Sequence, residues 1–203
     1  MVVPTGIIEW GVAARSFPGE RESGDGHVVE AFPGGTLVAV IDGLGHGPEA
    51  AAATRVACAT LQGHPSEPIG ALVQRCHAQL RSTRGVVMTI ASIDARTDVL
   101  TWLGVGNVEG CLLRAGTGAQ RQREAVLHRG GVVGFSLPAM RPATVPLAPG
   151  DLLILATDGI ATGFMEGQHR GTSEQIASGI LDRHGKTTDD ALVLVARYTG
   201  EAR

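Results

Sequence analysis

Short apolar runs separated by turn residues recur along the whole chain, a pattern typical of β-strands. One stretch, 94–115, has two such turns, at 94–98 and at Gly106-Asn107, and therefore predicts an antiparallel meander. The apolar runs predict strands at about 6–14, 27–32, 36–42, 86–94, 97–104, 107–115, 142–147, 151–157 and 191–198.

Three segments have helical character, at 47–62, 67–83 and 172–184. In the second, apolar residues follow the i, i+3, i+4, i+7 spacing of one helix face, and Ser66 is the expected N-cap. The strands come in runs and the first two helices are consecutive. This order predicts an α+β fold, with antiparallel sheets covered by helices.

Composition indicates how many domains the chain forms and which kinds of partner it is expected to lack. A chain of 203 residues with 43% hydrophobic content is long enough for one domain, over 1–203, with a full core. A net charge of −3 excludes a strongly basic nucleic-acid surface. The three cysteines form no CxxC motif, and no segment has signal-peptide or membrane-helix character. We therefore expect a cytoplasmic protein that binds neither nucleic acid nor membrane.

Aspartates stand at the ends of several predicted core strands. Asp42 ends the apolar run "VAVID", and Asp158 ends "LLILATD". At the other strand ends, Asp189-Asp190 and Asp25 precede apolar runs. If these strands lie side by side with matching ends, the carboxylates converge at one edge of the fold.

A cluster of carboxylates is costly, because like charges repel and raise one another's pKa. A cation between them removes that cost, and an all-oxygen donor set suits Mg²⁺ or Mn²⁺. Glycines beside Asp42 would let the backbone approach such an ion closely. A single Asp-Gly is more often an ordinary turn. Its repetition at two strand ends, together with Asp189-Asp190, favours a metal centre.

Two nucleotide-binding motifs are a poor match. Gly43, Gly45 and Gly47 have GxGxG spacing instead of GxGxxG, and no acidic residue stands at 62–63, where a ribose ligand is expected. The sequence Gly185-Lys186-Thr187 does not complete a P-loop, because GxxxxGK[ST] needs a glycine at position 180, where this chain has isoleucine.

The stretches "VIDGLGHGPEA", "LAPGDLLILATDGI" and "TDDALVLVAR" resemble the metal-dependent PPM (PP2C-type) serine/threonine phosphatases. Within that family the fit is to the bacterial branch that contains SpoIIE and RsbX, and "DGLGHG" is especially similar to RsbX. The resemblance covers about 6–198. It implies a four-layer αββα sandwich, two antiparallel sheets flanked by helices, with two Mn²⁺ or Mg²⁺ ions at one end.

The resemblance also assigns roles to individual residues. It implies that Asp42 bridges both ions and that the Gly43 carbonyl holds one of them. Asp158 and Asp189 are implied to complete the shell of the other ion, and Asp25 to bind directly or through water.

Three further residues have two interpretations each. His46 is either a general acid or a loop-ordering residue. Eukaryotic relatives carry a histidine directly after Asp-Gly, where this chain has Leu44, so His46 does not occupy the same position. Arg15 either contacts substrate phosphate or is a solvated side chain. Asp190 either caps the strand or buttresses its neighbour.

The implied reaction is hydrolysis of phosphoserine or phosphothreonine by a metal-activated water attacking in line. The short segment 158–189 leaves no room for a large flap and predicts an open face for a folded protein partner. Family analogy suggests phosphorylated STAS-domain proteins of a stressosome or partner-switching pathway, with this chain as a negative-feedback regulator. The alternatives are a catalytically idle phosphoprotein-binding module and a hydrolase of small phosphate esters.

Overall fold

The computed structural model describes residues 3–116, 122–166 and 169–200. Over these ranges the chain forms two β-sheets and three α-helices. The strands are β1 (Val3–Thr5), β2 (Ile8–Arg15), β3 (Asp25–Phe32), β4 (Gly35–Gly43), β5 (Val86–Asp94), β6 (Val99–Val105), β7 (Glu109–Leu113), β8 (Arg123–Ala125), β9 (His128–Arg129), β10 (Ala143–Pro146), β11 (Leu152–Ala156) and β12 (Ala191–Tyr198).

The first sheet has the strand order β1-β2-β12-β11-β7-β8, and the second has the order β10-β6-β5-β4-β3. Neighbouring strands are antiparallel throughout, apart from β9, which pairs in parallel with β6. The predicted meander corresponds to strands β5, β6 and β7. β5 and β6 pair in the second sheet, but β7 belongs to the first sheet. The chain therefore crosses from the second sheet to the first between β6 and β7.

The helices lie on the outer faces of the two sheets. Helices α1 (Pro48–Gln62) and α2 (Ile69–Gln79) cover the second sheet, and α3 (Ser173–His184) covers the first together with a 3-10 turn at Thr162–Glu166. Apolar side chains from the inner faces of both sheets form the central core. This arrangement confirms the α+β class and the four-layer αββα sandwich.

Local sequence explains where the helices begin. Gly47, with φ +78°, precedes Pro48 at the first turn of α1. Thr172 and Gln175 form a reciprocal capping box at α3. The prediction of Ser66 as the cap of α2 was wrong, because Pro68 occupies the N-cap position. Proline disfavours helical geometry in the residue before it, so the helix begins only after Pro68.

The predicted strands and helices are present, with ends shifted by a few residues. The sequence pattern did not predict β1, β8, β9 or the 3-10 turn, which are all too short to show a period. Helix α2 ends at Gln79 instead of 83. No helix within the described ranges is long and apolar enough to cross a membrane.

Candidate metal centre

Asp25 and Asp42 are direct cross-strand partners at one end of the second sheet. Asp25 begins β3 and Asp42 is the penultimate residue of β4, so the antiparallel register places them opposite each other. Both side chains are half-buried. Directly opposed like charges destabilise a sheet. The fold therefore maintains an unfavourable pair at the place where the sequence predicts a metal.

Two hydrogen bonds join this end of the second sheet to the first. Thr157, which directly follows β11, donates from Oγ1 to Asp25 Oδ2 at 2.7 Å. Asp190, which directly precedes β12, accepts from the Gly24 amide at 2.8 Å. The strand ends that carry Asp158 and Asp189 therefore lie beside the Asp25–Asp42 pair.

Asp158 is held at two points by residues that the sequence did not single out. Its Oδ2 accepts from Asn107 Nδ2 at 2.8 Å, and its main-chain oxygen accepts from Lys186 Nζ at 2.6 Å. The Lys186 amide also donates to Gly159 O at 2.7 Å. Such outer contacts fix the orientation of a ligating carboxylate. Neither residue belongs to an Asp-Gly pattern, so no local signal could have identified it.

The adjacent carboxylates Asp189 and Asp190 have different surroundings. Asp190 is 3% exposed and accepts from the amides of Phe17, at 2.7 Å, and Gly24. Asp189 is half-buried, and its Oδ1 accepts only the Asp190 amide, at 2.9 Å, within the described residues. Asp190 thus fastens the loop between β2 and β3, which matches the buttress interpretation, while Asp189 lies nearer to solvent.

Burial and mutual repulsion raise the pKa values of these carboxyl groups. Burial is the main cause of the rise in the pKa of Asp42 to about 8, and the charges of Asp25, Asp158, Asp189 and Asp190 add to it. Burial also raises the pKa of Asp25 to about 7, although the Thr157 hydrogen bond opposes the rise. The pKa of Asp189 is raised by burial and by Asp158. The carboxylates therefore lie within electrostatic reach of one another.

The glycine after Asp42 has a packing role. A Cβ on Gly43 would lie 2.4 Å from the carbonyl oxygen of Ala50 in α1, so no larger residue fits without moving the helix. The Gly43 amide donates to Gly24 O at 3.0 Å. Gly45 and Gly47 have φ values of +84° and +78°, which favour glycine. The loop is rich in glycine because it turns tightly beneath the start of α1.

His46 and Arg15 lie at the border of the carboxylate cluster. The His46 ring stacks on Phe17 with centroids 4.6 Å apart, and its Nδ1 is 3.0 Å from Glu20 Oε1. His46 is close enough to Asp189 to oppose, in part, the rise in the pKa of that carboxyl group. Arg15 Nη2 donates to the main-chain oxygen of Lys186 at 2.5 Å. The roles of both residues stay predictions.

The side chains do not form a closed ligand cage. Among the described residues, no three His, Cys, Asp or Glu side chains are placed to hold an ion as they stand. The hydrogen bonds explain this: Asp25 turns toward Thr157, Asp158 toward Asn107, and Asp189 toward the next amide. Asp25, Asp158 and Asp189 each accept a hydrogen bond from a protein donor, so an incoming cation must compete with these three bonds.

The donor set nevertheless fits a hard divalent cation. The available groups are carboxylates and main-chain oxygens, with no thiolate or imidazole among the clustered acids. Oxygen ligands of this kind suit Mg²⁺ and Mn²⁺. A bound cation would also remove the repulsion that raises the pKa values of Asp25 and Asp42. The assignment of metal ligands stays a prediction.

Comparison with known proteins places the chain in a family. Residues 33–199 match the family described as Stage II sporulation protein E (SpoIIE). Over 90 residues the chain is 28% identical to "Phosphoserine phosphatase RsbX" of Bacillus subtilis (strain 168), a match that spans 44% of this chain and 45% of that relative.

Two solved structures share the fold over nearly the whole chain. One, from "The bacterial stressosome: a modular system that has been adapted to control secondary messenger signaling", is 32% identical with a TM-score of 0.85, and the match covers 94% of this chain and 99% of that one. RsbX "in complex with magnesium" is 21% identical with a TM-score of 0.84, over 98% and 99% of the two chains. The chain belongs to the SpoIIE family and has the PPM (PP2C-type) phosphatase fold.

Proposed function

We propose that the chain is a metal-dependent protein phosphatase that hydrolyses phosphoserine and phosphothreonine. The observation that carries the proposal is the cross-strand pair Asp25–Asp42, joined by Thr157 to the strand end that bears Asp158. Carboxylates from both sheets are thereby concentrated at one edge. Membership of the SpoIIE family and the name of the Bacillus subtilis relative, a phosphoserine phosphatase, support this activity.

In this proposal the edge holds two Mn²⁺ or Mg²⁺ ions. Asp42 would be a ligand of both ions, the Gly43 carbonyl would hold one, and Asp158 and Asp189 would complete the shell of the other. Asp25 would bind directly or through water. A related structure of RsbX contains magnesium, which supports a divalent ion. When bound, such ions lower the pKa of a coordinated water and offset the negative charge of phosphate oxygens.

Two residues of the chain itself would act on the substrate. Arg15 is at the end of β2, next to the loop that carries Asp189, where a guanidinium can contact a phosphate oxygen. Nδ1 of His46 lies 3.0 Å from Glu20 Oε1, and in the imidazolium form its Nε2–H can donate a proton to the leaving serine oxygen. Asn107 and Lys186 would keep Asp158 in place as positioning residues.

We further propose a phosphorylated STAS-domain protein of a stressosome or partner-switching pathway as substrate, in the cytoplasm, with the chain acting as a negative-feedback regulator. The 32% identity to a chain from the bacterial stressosome supports this partner class. Net charge −3 gives no attraction to nucleic acid.

The test is phosphate release with and without Mn²⁺ from three substrates: a phosphoserine protein, free phosphoserine and p-nitrophenyl phosphate. The proposal predicts Mn²⁺-dependent turnover that is fastest on the phosphoprotein and is lost in Asp42→Asn. Turnover of the free amino acid alone would favour a small-ester hydrolase. Binding of the phosphoprotein without turnover would favour an idle recognition module.

A further inference from the structure

Strand β3 presents a long unpaired edge. The second sheet ends at β3, which has β4 as its one strand partner in the described ranges. The other sheet-edge strands are short: β1 and β8 have three residues each, and β10 has four, including a proline. β3 has eight residues in unbroken register, without proline, lysine or a bulge. Natural proteins usually protect such an edge.

The register shows which main-chain groups face outward from this edge. Gly43 N donates to Gly24 O at 3.0 Å, so residues 24 and 43 form a hydrogen-bonded pair. Bonded and non-bonded pairs alternate in antiparallel sheets. The amides and carbonyls of His27, Val29 and Ala31 therefore point away from β4. Within the described part of the chain, these three amides have no hydrogen-bond partner.

A groove lies between the start of β3, at Asp25–His27, and helix α1. Its volume is about 550 Å³, and it is lined on one side by the start of β3 and on the other by one face of α1, including Arg55, Cys58, Ala59 and Gln62. The Cys58 thiol contacts the outward carbonyl of His27 at 3.8 Å. The space is large enough for a few residues of extended chain, and Asp25 is among the residues that line it.

We propose that an extended segment of the phosphoprotein substrate pairs with β3 as an added strand. Addition of a strand to an exposed edge uses main-chain hydrogen bonds for affinity. Asp25 lines the groove and is the cross-strand partner of Asp42, so a segment bound here can bring its phosphoserine to the carboxylate cluster. This role in substrate docking rests on the proposed phosphatase function.

The experiment compares two exposed alanines of helix α1. Ala59 lines the groove, whereas Ala52 is exposed but does not line it. Ala59→Trp fills the groove without altering main-chain groups, and Ala52→Trp is the matched control. Ala31→Pro, at an exposed position, removes one outward amide. The probes are p-nitrophenyl phosphate and a phosphoserine peptide with about eight flanking residues, enough to pair along β3.

The proposal predicts that Ala59→Trp and Ala31→Pro lower kcat/KM for the peptide about tenfold, mainly through KM, because main-chain hydrogen bonds are lost. Turnover of p-nitrophenyl phosphate, and both activities of Ala52→Trp, should stay unchanged. Wild-type rates of peptide hydrolysis in both groove variants would overturn the proposal. So would a dimer in solution that is abolished by Ala59→Trp, because the edge would then serve a second copy.

Amide hydrogen exchange keeps the test decisive if a variant is damaged. Binding of the peptide to the unsubstituted protein should slow exchange at His27, Val29 and Ala31, and unchanged exchange there with bound peptide overturns the proposal. Failure of the proposed function gives a different result: the unsubstituted chain would then hydrolyse neither p-nitrophenyl phosphate nor the peptide.

Discussion

Thr157 on the first sheet donates a hydrogen bond of 2.7 Å to Asp25 on the second, directly beside the Asp25–Asp42 cross-strand pair. This bond joins the two layers at the point where their carboxylates meet. It also stabilises the charged form of Asp25, whose pKa is nevertheless raised to about 7 by burial and neighbouring charges. In the metal-free protein, Asp25 and Asp42 therefore keep their protons to a higher pH than ordinary aspartates do.

In the metal-free protein, the stability contributed by Asp25 and Asp42 should fall as pH rises from about 4 to about 8. Unfolded aspartates lose their protons near the ordinary pKa of 3.8, whereas Asp25 and Asp42 keep theirs until about 7 and about 8. Between these values the folded state binds more protons, so the free energy of unfolding decreases with pH. Thermal unfolding in the presence of a chelator measures this slope.

Asp42→Asn should flatten that slope, because the substitution removes the carboxyl group whose pKa is raised to about 8. Mn²⁺ should raise the melting temperature of the unsubstituted protein at pH 8 and leave Asp42→Asn nearly unchanged. A slope that is equally steep in both proteins would contradict the electrostatic account.

Lys186 and Asn107 should control the affinity of the centre for metal. Lys186→Met removes the donor to Asp158 O, and Asn107→Ala removes the donor to its carboxylate. Loss of such outer contacts typically weakens metal binding about 10- to 100-fold. The matched control is Lys186→Arg, which keeps a cationic donor and should retain most of the affinity. Calorimetric titration with Mn²⁺ is the measurement, and equal affinity in Lys186→Met and wild type would refute the positioning role.

Substitutions of the neighbours Asp189 and Asp190 should have different effects: loss of Asp190 should lower stability, and loss of Asp189 should weaken metal binding. Asp190→Ala leaves the amides of Phe17 and Gly24 without their acceptor and should cost about 1–3 kcal/mol for each amide that stays buried. Asp189→Asn should leave the free energy of unfolding within about 0.5 kcal/mol of wild type and abolish tight metal binding. Urea denaturation measures the first effect and Mn²⁺ titration the second. The reverse assignment of losses would contradict these roles.

His46 should matter only for poor leaving groups. If it protonates the serine oxygen, His46→Gln lowers turnover of phosphoserine protein about 100-fold but spares p-nitrophenyl phosphate, whose leaving group needs no proton. If it only orders the loop with Glu20 and Phe17, both substrates are affected alike. Steady-state rates on the two substrates distinguish these outcomes.

The apolar runs predicted antiparallel sheets covered by helices, because the strands are long enough to be recognised and the turns are marked by Asp and Gly. The four-layer sandwich was implied by the resemblance to the PPM phosphatases. The sequence also predicted that Asp42 and Asp158 end core strands, since that is a local feature. The partners of these residues were not predictable in the same way. Asn107 and Thr157 act across 51 and 132 positions of sequence, and only the folded topology brings them into contact.

The glycines after Asp42 illustrate a second limit. Bareness of the loop suggested close approach to a metal, but Gly43 is required by its contact with the Ala50 carbonyl in α1. Close packing against a helix and close approach to a metal ion both require glycine, so the sequence alone does not distinguish them. Likewise, the apolar run at 27–32 did not show that β3 is a sheet edge, because the neighbours of a strand are set by the topology of the whole fold.

The central claim is that this carboxylate edge binds divalent ions. Its most direct test is calorimetric titration of the purified chain with Mn²⁺ at neutral pH, beside Asp42→Asn at the same concentration. The account predicts binding of two ions by the unsubstituted chain, with proton release from Asp25 and Asp42, and severe loss of binding in the variant. Absence of Mn²⁺ binding by the unsubstituted chain, or equal binding by Asp42→Asn, would contradict it.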